Sequence, residues 1–334
     1  MALINTALTL QDLPAPPESK TGWPWTEQTE VLPNKMPDGS DWPRISIVTP
    51  NYNYGHFIEE TIRSILLQGY PNLEYIIIDG ASTDNSIEII KKYEKWISYW
   101  VSEKDTGQSN AINKGLERCT GKFFNWINSD DFLELGGLQN ISTEFKNFDV
   151  LAGKVNDFSE INEQEQIHIH HNLSAINLLK NKYCYHQPGI WLCTEKIKKI
   201  GVLREDLYLS FDWELTIRYL THFPKVTYSK SVLVNFRVHS KSKTNIDYSE
   251  ILKERTISLV NILHNDAYKK LYKHIEIYLK TQLWYFKVKK ILDSTELSKP
   301  KKIFKIIQYS WMEPNIRISR FTLGAIRRLL ISNI

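Results

Sequence analysis

Apolar positions along this chain change their spacing abruptly at Ile45. Ile45 to Thr49 reads as a short buried strand. Phe57, Ile58, Thr61, Ile62, Ile65 and Leu66 then mark one face of a helix that stops near Gly69 and Pro71. Leu73 to Ile78 is a second strand, and Asp84 and Asn85 can cap a helix carrying Ile87, Ile89, Ile90 and Tyr93. Ile97 to Val101, Ser109 to Cys119 and Lys122 to Ile127 continue the series as strand, helix and strand. Such alternation predicts an α/β fold with a mostly parallel, Rossmann-like sheet flanked by helices. From Phe148 to about His239 the elements shorten and the connections lengthen, and beyond Tyr248 everything reads as helix. Residues 1–43 hold seven prolines without a sustained period and read as an extended lead-in; Trp23, Trp25 and Trp42 argue that parts of it are fixed to the body. The expected divisions are 1–43, 44–147, 148–245 and 246–334.

Composition excludes more than it selects. A content of 42% hydrophobic and 24% charged residues in 334 is that of a folded globular protein, not a disordered one. Cys119, Cys184 and Cys193 form neither a pairing framework nor a metal-ligand spacing, so a reducing, cytoplasmic setting is expected. No apolar run reaches the roughly 18 residues of a spanning helix, and no signal-peptide pattern opens the chain. Charge is unevenly placed: Lys253 to Ile334 carries 17 lysines and arginines against 6 acidic residues. There Lys301, Lys302, Lys305, Arg317, Arg320, Arg327 and Arg328 mix with Phe304, Trp311, Phe321 and Leu329 at loosely helical spacing. Such helices can lie on anionic lipid at the inner face of a membrane, or simply cap the main domain with their lysines in water. No nucleic-acid-binding module accompanies them, and no nucleic-acid partner is expected.

Chemistry concentrates at the strand ends. In a parallel α/β sheet, ligands bind outside the carboxyl ends of the strands, where helix N-termini converge. The four ends here are Thr49-Pro50-Asn51-Tyr52-Asn53, Asp79-Gly80-Ala81-Ser82-Thr83-Asp84, Ser102 to Gln108, and Asn128-Ser129-Asp130-Asp131. One Asp-Gly strand end is usually only a turn; four polar ends on one rim point to a ligand. The adjacent carboxylates Asp130 and Asp131 suit a divalent cation, while a helix N-cap before Phe132 to Leu135 is the plainer alternative. No G-x-G-x-x-G follows the first strand and no P-loop occurs, so a dehydrogenase or P-loop NTPase is not expected.

TPNYN, IDGASTDNS, DTGQSNAINKG and NSDD, in this order, resemble the inverting family 2 glycosyltransferases of GT-A fold, over about Ile45 to His239. The resemblance implies a nucleotide-sugar-binding half at 44–147, an acceptor-side half at 148–245, and Mn²⁺ or Mg²⁺ as cofactor. It implies that Pro50, Tyr52, Asn53 and Asp79 line the nucleoside pocket, with the Asp79 carboxylate accepting from the base. Asp105, Gly107, Asn110 and Lys114 would border the ribose and sugar, with Ser129 and Asp130 beyond them. Asp130 and Asp131 match the metal motif, and Asn128 stands where the family often has Asp. Asp212, with Glu214 second, matches the catalytic base, and the two point to different faces if Phe211 to Tyr219 is helical; an ordinary acidic first turn is the alternative. His186 and Gln187 would lie beside the acceptor with Trp213 and Glu214, unless His186 is a buried structural histidine. Arg237-Val238-His239-Ser240, with Lys241 and Ser242, resembles a late motif that reaches back to the diphosphate or metal, His239 as ligand and the cations offsetting charge. The implied function is transfer of a UDP- or dTDP-linked hexose to a polysaccharide or lipid-linked acceptor. An inactive sugar-nucleotide-binding protein and a nucleotidyltransferase are the alternatives; the latter would normally need a glycine-rich loop that TPNYN lacks.

Overall fold

The computed structural model describes residues 6–159, 164–180, 185–240, 248–312 and 320–331. Cys184, Lys241, Ser242 and Arg317 lie outside the described residues. The chain forms two units, Met1–Asn245 and Ile246–Ile334.

In the first unit, β1 (Ile45–Asn51), β2 (Leu73–Asp79), β3 (Tyr99–Ser102) and β4 (Phe123–Trp126) are parallel, in the order β3-β2-β1-β4. They are crossed by α1 (Ile58–Leu66), α2 (Ser86–Tyr93) and α3 (Gln108–Arg118). β1 and β2 are buried on both faces, which is why they read as continuous apolar runs. α1 buries Ile58, Ile62, Ile65 and Leu66 against the sheet, and Asp84 Oδ1 accepts from the Ser86 N–H at the start of α2.

The second half of the sheet is mixed. β5 (Phe132–Leu133) is followed by α4 (Gly137–Glu144), β6 (Val150–Ser159), β7 (Gln164–His168), α5 (Ala175–Leu179), β8 (Ile190–Cys193), α6 (Thr194–Ile200), α7 (Phe211–His222) and β9 (Val226–Arg237). Beyond β4 the order runs β8-β6-β9-β5, with β7 on β6. β8 is antiparallel to β4 and β6, β9 is parallel to β6, and β5 is antiparallel to β9. Phe132 and Leu133 are thus a strand, not the first turn of a helix. This pairing brings the end of β9 back to the end of β4.

The lead-in is held by a buried cation. Arg63 on α1 is 0% exposed, and its guanidinium donates to the carbonyls of Pro14 (2.8 Å), Pro24 (3.1 Å) and Trp25 (2.9 Å) and to the Tyr93 hydroxyl (3.1 Å). Trp25 and Trp42 are buried, and the Trp23 indole donates to the Leu133 carbonyl at 2.7 Å.

The second unit contains α8 (Tyr248–Leu263), α9 (Tyr272–Asp293), α10 (Lys299–Met312) and α11 (Arg320–Ile331). Trp284, Val288, Ile291, Ile306 and Ala325 form its core, and the Trp284 indole donates to Thr322 at 2.9 Å. Phe304, Trp311 and Leu330 are more than half exposed. Among the described residues, no helix is long and apolar enough to cross a membrane.

Candidate functional site at the strand ends

Asn51, Asp79 and Ser102 lie in one register row across the carboxyl ends of β1, β2 and β3. Asp79 sits at its centre, 0% exposed, and both its oxygens are engaged. Oδ1 accepts from Asn51 Nδ2 (2.7 Å) and Ser82 Oγ (2.5 Å); Oδ2 accepts from Ser82 N (2.9 Å) and Ser102 Oγ (2.6 Å). The resemblance implies a contact between Asp79 and a base; in the structure this carboxylate joins the three strand ends. Asn53 is similarly occupied. It takes a left-handed φ of 56°, donates its N–H to Ser82 Oγ and accepts from Thr83 N, each at 2.8 Å. Pro50 is buried within β1.

Tyr52 rises above this layer with 59% of its surface exposed. A Cβ at Gly80 would stand 2.7 Å from Asp105 Oδ2 and 3.4 Å from the Tyr52 ring, so the floor between those two side chains must be bare backbone. Asp105 Oδ1 accepts from the Gly107 N–H at 2.9 Å, and Gly107, at φ 134°, opens α3. Next to it lies a cleft of about 110 Å³ lined by Thr106, Gly107, Glu205, Tyr208 and Phe211, among others. Asn110 and Lys114 face polar partners: Asn110 Nδ2 donates to Glu205 and Lys114 Nζ to Glu103, at 2.8 and 2.7 Å.

The adjacent carboxylates diverge. Asp131 is 1% exposed, and burial, then the charge of Asp130, pushes its carboxyl well above the usual range. Its oxygens accept from the Arg237 N–H (3.1 Å) and Asn128 Nδ2 (3.2 Å). Thr61 Oγ1 secures the same turn through the carbonyls of Ser129 and Asp131, and Ser129 itself is buried. Asp130 instead keeps its side chain 18% exposed, with Oδ2 3.0 Å from His239 Nε2. Of the three expected metal ligands, the structure thus brings Asp130 and His239 together and turns Asp131 inward.

Arg237 is 2% exposed and pinned on several sides. It pairs with Glu60 at 2.5 Å, donates to the Asp130 carbonyl at 3.0 Å, and packs over Phe57 and Phe158. These contacts fix the Asp130–Asp131 turn. Tyr54, beside His239, has its hydroxyl pushed up to about 12 by burial and by the nearby charges of Asp130, Tyr208 and Asp131.

On the acceptor side, α7 separates Asp212 from Glu214 as helical spacing requires. Asp212 is partly exposed, and its Oδ1 accepts from the Trp213 N–H at 2.6 Å. Glu214 is 2% exposed and bridges at 2.7 Å to Arg218, which donates to the carbonyls of Ile200, Gly201 and Val202. Trp213 is 2% exposed, and Gln187 is buried with its amide on Asn125 and the Trp126 carbonyl. Trp213, Glu214 and Gln187 are thus packed or paired within the protein. His186 lies partly buried beside Asp157 and His168. Sequence reasoning missed Tyr54, Glu60, Glu205 and Tyr208. None stands in a patterned motif; only the i, i+4 pair of Glu214 and Arg218 carried a readable signal.

Residues 46–201 match the model of glycosyl transferase family 2. The chain is 40% identical over 96 residues to a putative teichuronic acid biosynthesis glycosyltransferase, TuaG, of Bacillus subtilis, covering 28% of this chain and 38% of that protein. It is 27% identical over 224 residues to an uncharacterized glycosyltransferase of Rickettsia typhi, 63% of this chain and 68% of that protein. Among solved structures it is similar to Staphylococcus aureus TarS 1-349 in complex with UDP-GlcNAc, with a TM-score of 0.62 at 17% identity over 86% of this chain and 90% of that one. A mannosyltransferase of Pyrobaculum calidifontis in complex with GDP-Man and Mn²⁺ gives 0.55 at 13% identity, over 92% of each chain. At these identities the structural likeness speaks to fold alone, and the fold is that of GT-A glycosyltransferases.

Proposed function

Since residues 46–201 belong to glycosyl transferase family 2 and the chain is accordingly a glycosyltransferase, we propose that it transfers a hexose, with inversion, from a UDP- or dTDP-linked donor to a hydroxyl of a polysaccharide or lipid-linked acceptor. The observation that carries this reading is the approach of Asp130 Oδ2 to His239 Nε2 at 3.0 Å, on the rim where the parallel strands end. A carboxylate oxygen and an imidazole nitrogen, both partly exposed, fit Mn²⁺, and the carboxylate alone fits Mg²⁺; either ion typically takes one or two protein carboxylates and fills its shell with substrate phosphate oxygens and water. When bound, such an ion neutralises charge growing on the departing diphosphate.

The donor base stacks on the exposed Tyr52 ring above Gly80, with Asp105 at the ribose and Gly107 opening the way to α3. Asp212 receives the acceptor proton as the acceptor oxygen attacks the anomeric carbon; the bond from that carbon to the diphosphate breaks on the opposite face, and the nucleoside diphosphate leaves. A carboxylate that stays partly exposed on a well-packed helix is suited to this, whereas Glu214 is committed to Arg218. The nucleotide-sugar complex of TarS and the GDP-Man and Mn²⁺ complex of the Pyrobaculum enzyme support donor and metal class. The similarity to TuaG, named as a putative teichuronic acid biosynthesis glycosyltransferase, supports a cell-envelope polymer as acceptor.

The test is donor hydrolysis by the purified chain across a panel of nucleotide sugars with Mn²⁺, Mg²⁺ or EDTA. Release of nucleotide from a UDP- or dTDP-hexose, abolished by EDTA, is expected; silence with every donor would overturn the reading. The same proposal places the enzyme at the inner face of the cytoplasmic membrane, because Phe304 and Trp311 are 67% and 71% exposed on a helix that also carries Lys301, Lys302 and Lys305. The double variant Phe304→Ser with Trp311→Ser should lose co-sedimentation with anionic vesicles while keeping donor turnover.

A further inference from the structure

Away from Asp130 and His239, three side chains from separate segments converge: Asp157 on β6, His168 on β7, and His186 ahead of β8. One ligand atom from each lies within 4.8 Å of the others, the one such group of three or more found among the described residues. The cross-strand register makes this possible. His168 stands opposite Val155, so its side chain emerges on the face that Asp157 shares two residues on.

An ordinary ion pair accounts for only part of the arrangement. His168 Nε2 lies 2.8 Å from Asp157 Oδ2, a normal hydrogen-bond distance. His186 Nδ1 approaches the other oxygen, Oδ1, but at 3.5 Å, and that oxygen is buried without a hydrogen bond. The two imidazoles meanwhile stack with centroids 4.0 Å apart. Tetrahedral coordination with bonds of about 2.0–2.1 Å sets ligand atoms roughly 3.3 Å apart; the three ligand atoms here lie within 4.8 Å of one another, and a rotation that opens the imidazole stack brings both nitrogens to one oxygen of Asp157.

We propose that Asp157, His168 and His186 form a site for a zinc-class divalent cation, distinct from the site at Asp130 and His239. Two imidazoles and one carboxylate favour Zn²⁺, Co²⁺ or Ni²⁺ over Mg²⁺, which prefers an all-oxygen shell. Three protein ligands leave a fourth position open to water or a ligand hydroxyl. The cation ties the β6–β7 hairpin to the segment that leads into β8. Phe236, the register partner of Asp157, covers the His186 ring edge-on and adjoins Arg237, so the site borders the acceptor side of the rim.

The inference does not depend on the donor or on the catalytic role of Asp212. It is tested on the full chain carrying Asp130→Asn, which removes the other metal position, stripped of metal and titrated with Co²⁺ by visible absorption. One equivalent should bind with the intense bands of a low-coordinate ion, be displaced by one equivalent of Zn²⁺, and be unaffected by millimolar Mg²⁺. Adding His168→Gln or His186→Gln should weaken Co²⁺ binding at least tenfold; a smaller change in both would overturn the site. Zn²⁺ should also raise the melting temperature of the stripped parent, a readout that needs no further variant. Absence of saturable Co²⁺ binding in the parent would overturn the proposal outright.

Discussion

The rim of β1, β2 and β3 and the returning end of β9 are equally rich in polar residues, yet they use them differently. On the rim, Asn51, Asn53, Asp79, Ser82 and Ser102 hydrogen-bond one another, leaving only the Asn51 Oδ1 of that group buried without a partner, and the surface above them is left to Tyr52, Gly80 and Asp105. At β9, Arg237 is consumed by Glu60 and the turn it braces, while His239, two residues on, reaches the partly exposed side chain of Asp130. The lesson is that a polar cluster at a strand end is mostly scaffold. Burying hydrogen-bonding groups is tolerable only when they are paired, and the few side chains left outward are those the paired ones hold in place.

That contrast between holding and acting can be broken by experiment. The largest effect belongs to Asp212, which should act without holding: Asp212→Asn is expected to lower kcat by about 10²–10⁴-fold, with donor affinity in calorimetry changed less than about twofold. An equal loss of donor binding would make Asp212 part of the scaffold. Arg237 should hold without acting. Arg237→Met leaves a half-buried Glu60 without its partner and should cost about 1–3 kcal/mol in denaturant unfolding, whereas a cost below about 0.5 kcal/mol would remove it from the brace. Tyr52 gives the smallest effect and sharpens the distinction most cleanly. Its exposed ring makes Tyr52→Ala neutral to stability, within about 0.5 kcal/mol, while loss of base stacking weakens the donor by roughly tenfold.

Much of the fold was legible because its signals are local. The apolar period located β1 through β4 and α1 through α3 to within two residues at most ends, and the ordered strand-end motifs indicated family and enzyme class. Individual roles were harder to read, because burial is set by packing across distant segments. Asp79 and Asp105 look alike as residues after a strand, but only the structure shows one beneath the floor and the other beside it. Gln187, Trp213 and Glu214 are themselves expected at the acceptor, yet their burial follows from packing that no motif reports. The short β5 was obscured because Ser129-Asp130-Asp131 also spells a helix start; what overrides that local preference is pairing with β9, about 100 residues away.

The Arg63 clamp bears on where this protein can be divided. The family match begins at residue 46, one residue into β1, as though the catalytic module started with its sheet. Arg63 says otherwise, since three of its acceptors are carbonyls of Pro14, Pro24 and Trp25. A version trimmed to the matched boundary would lose those carbonyls and the Trp25 ring over the guanidinium, and would open to water the apolar surface on which Leu8, Leu13, Leu32 and Trp42 pack. The stretch that the family shares is therefore shorter than the stretch that packs as one core.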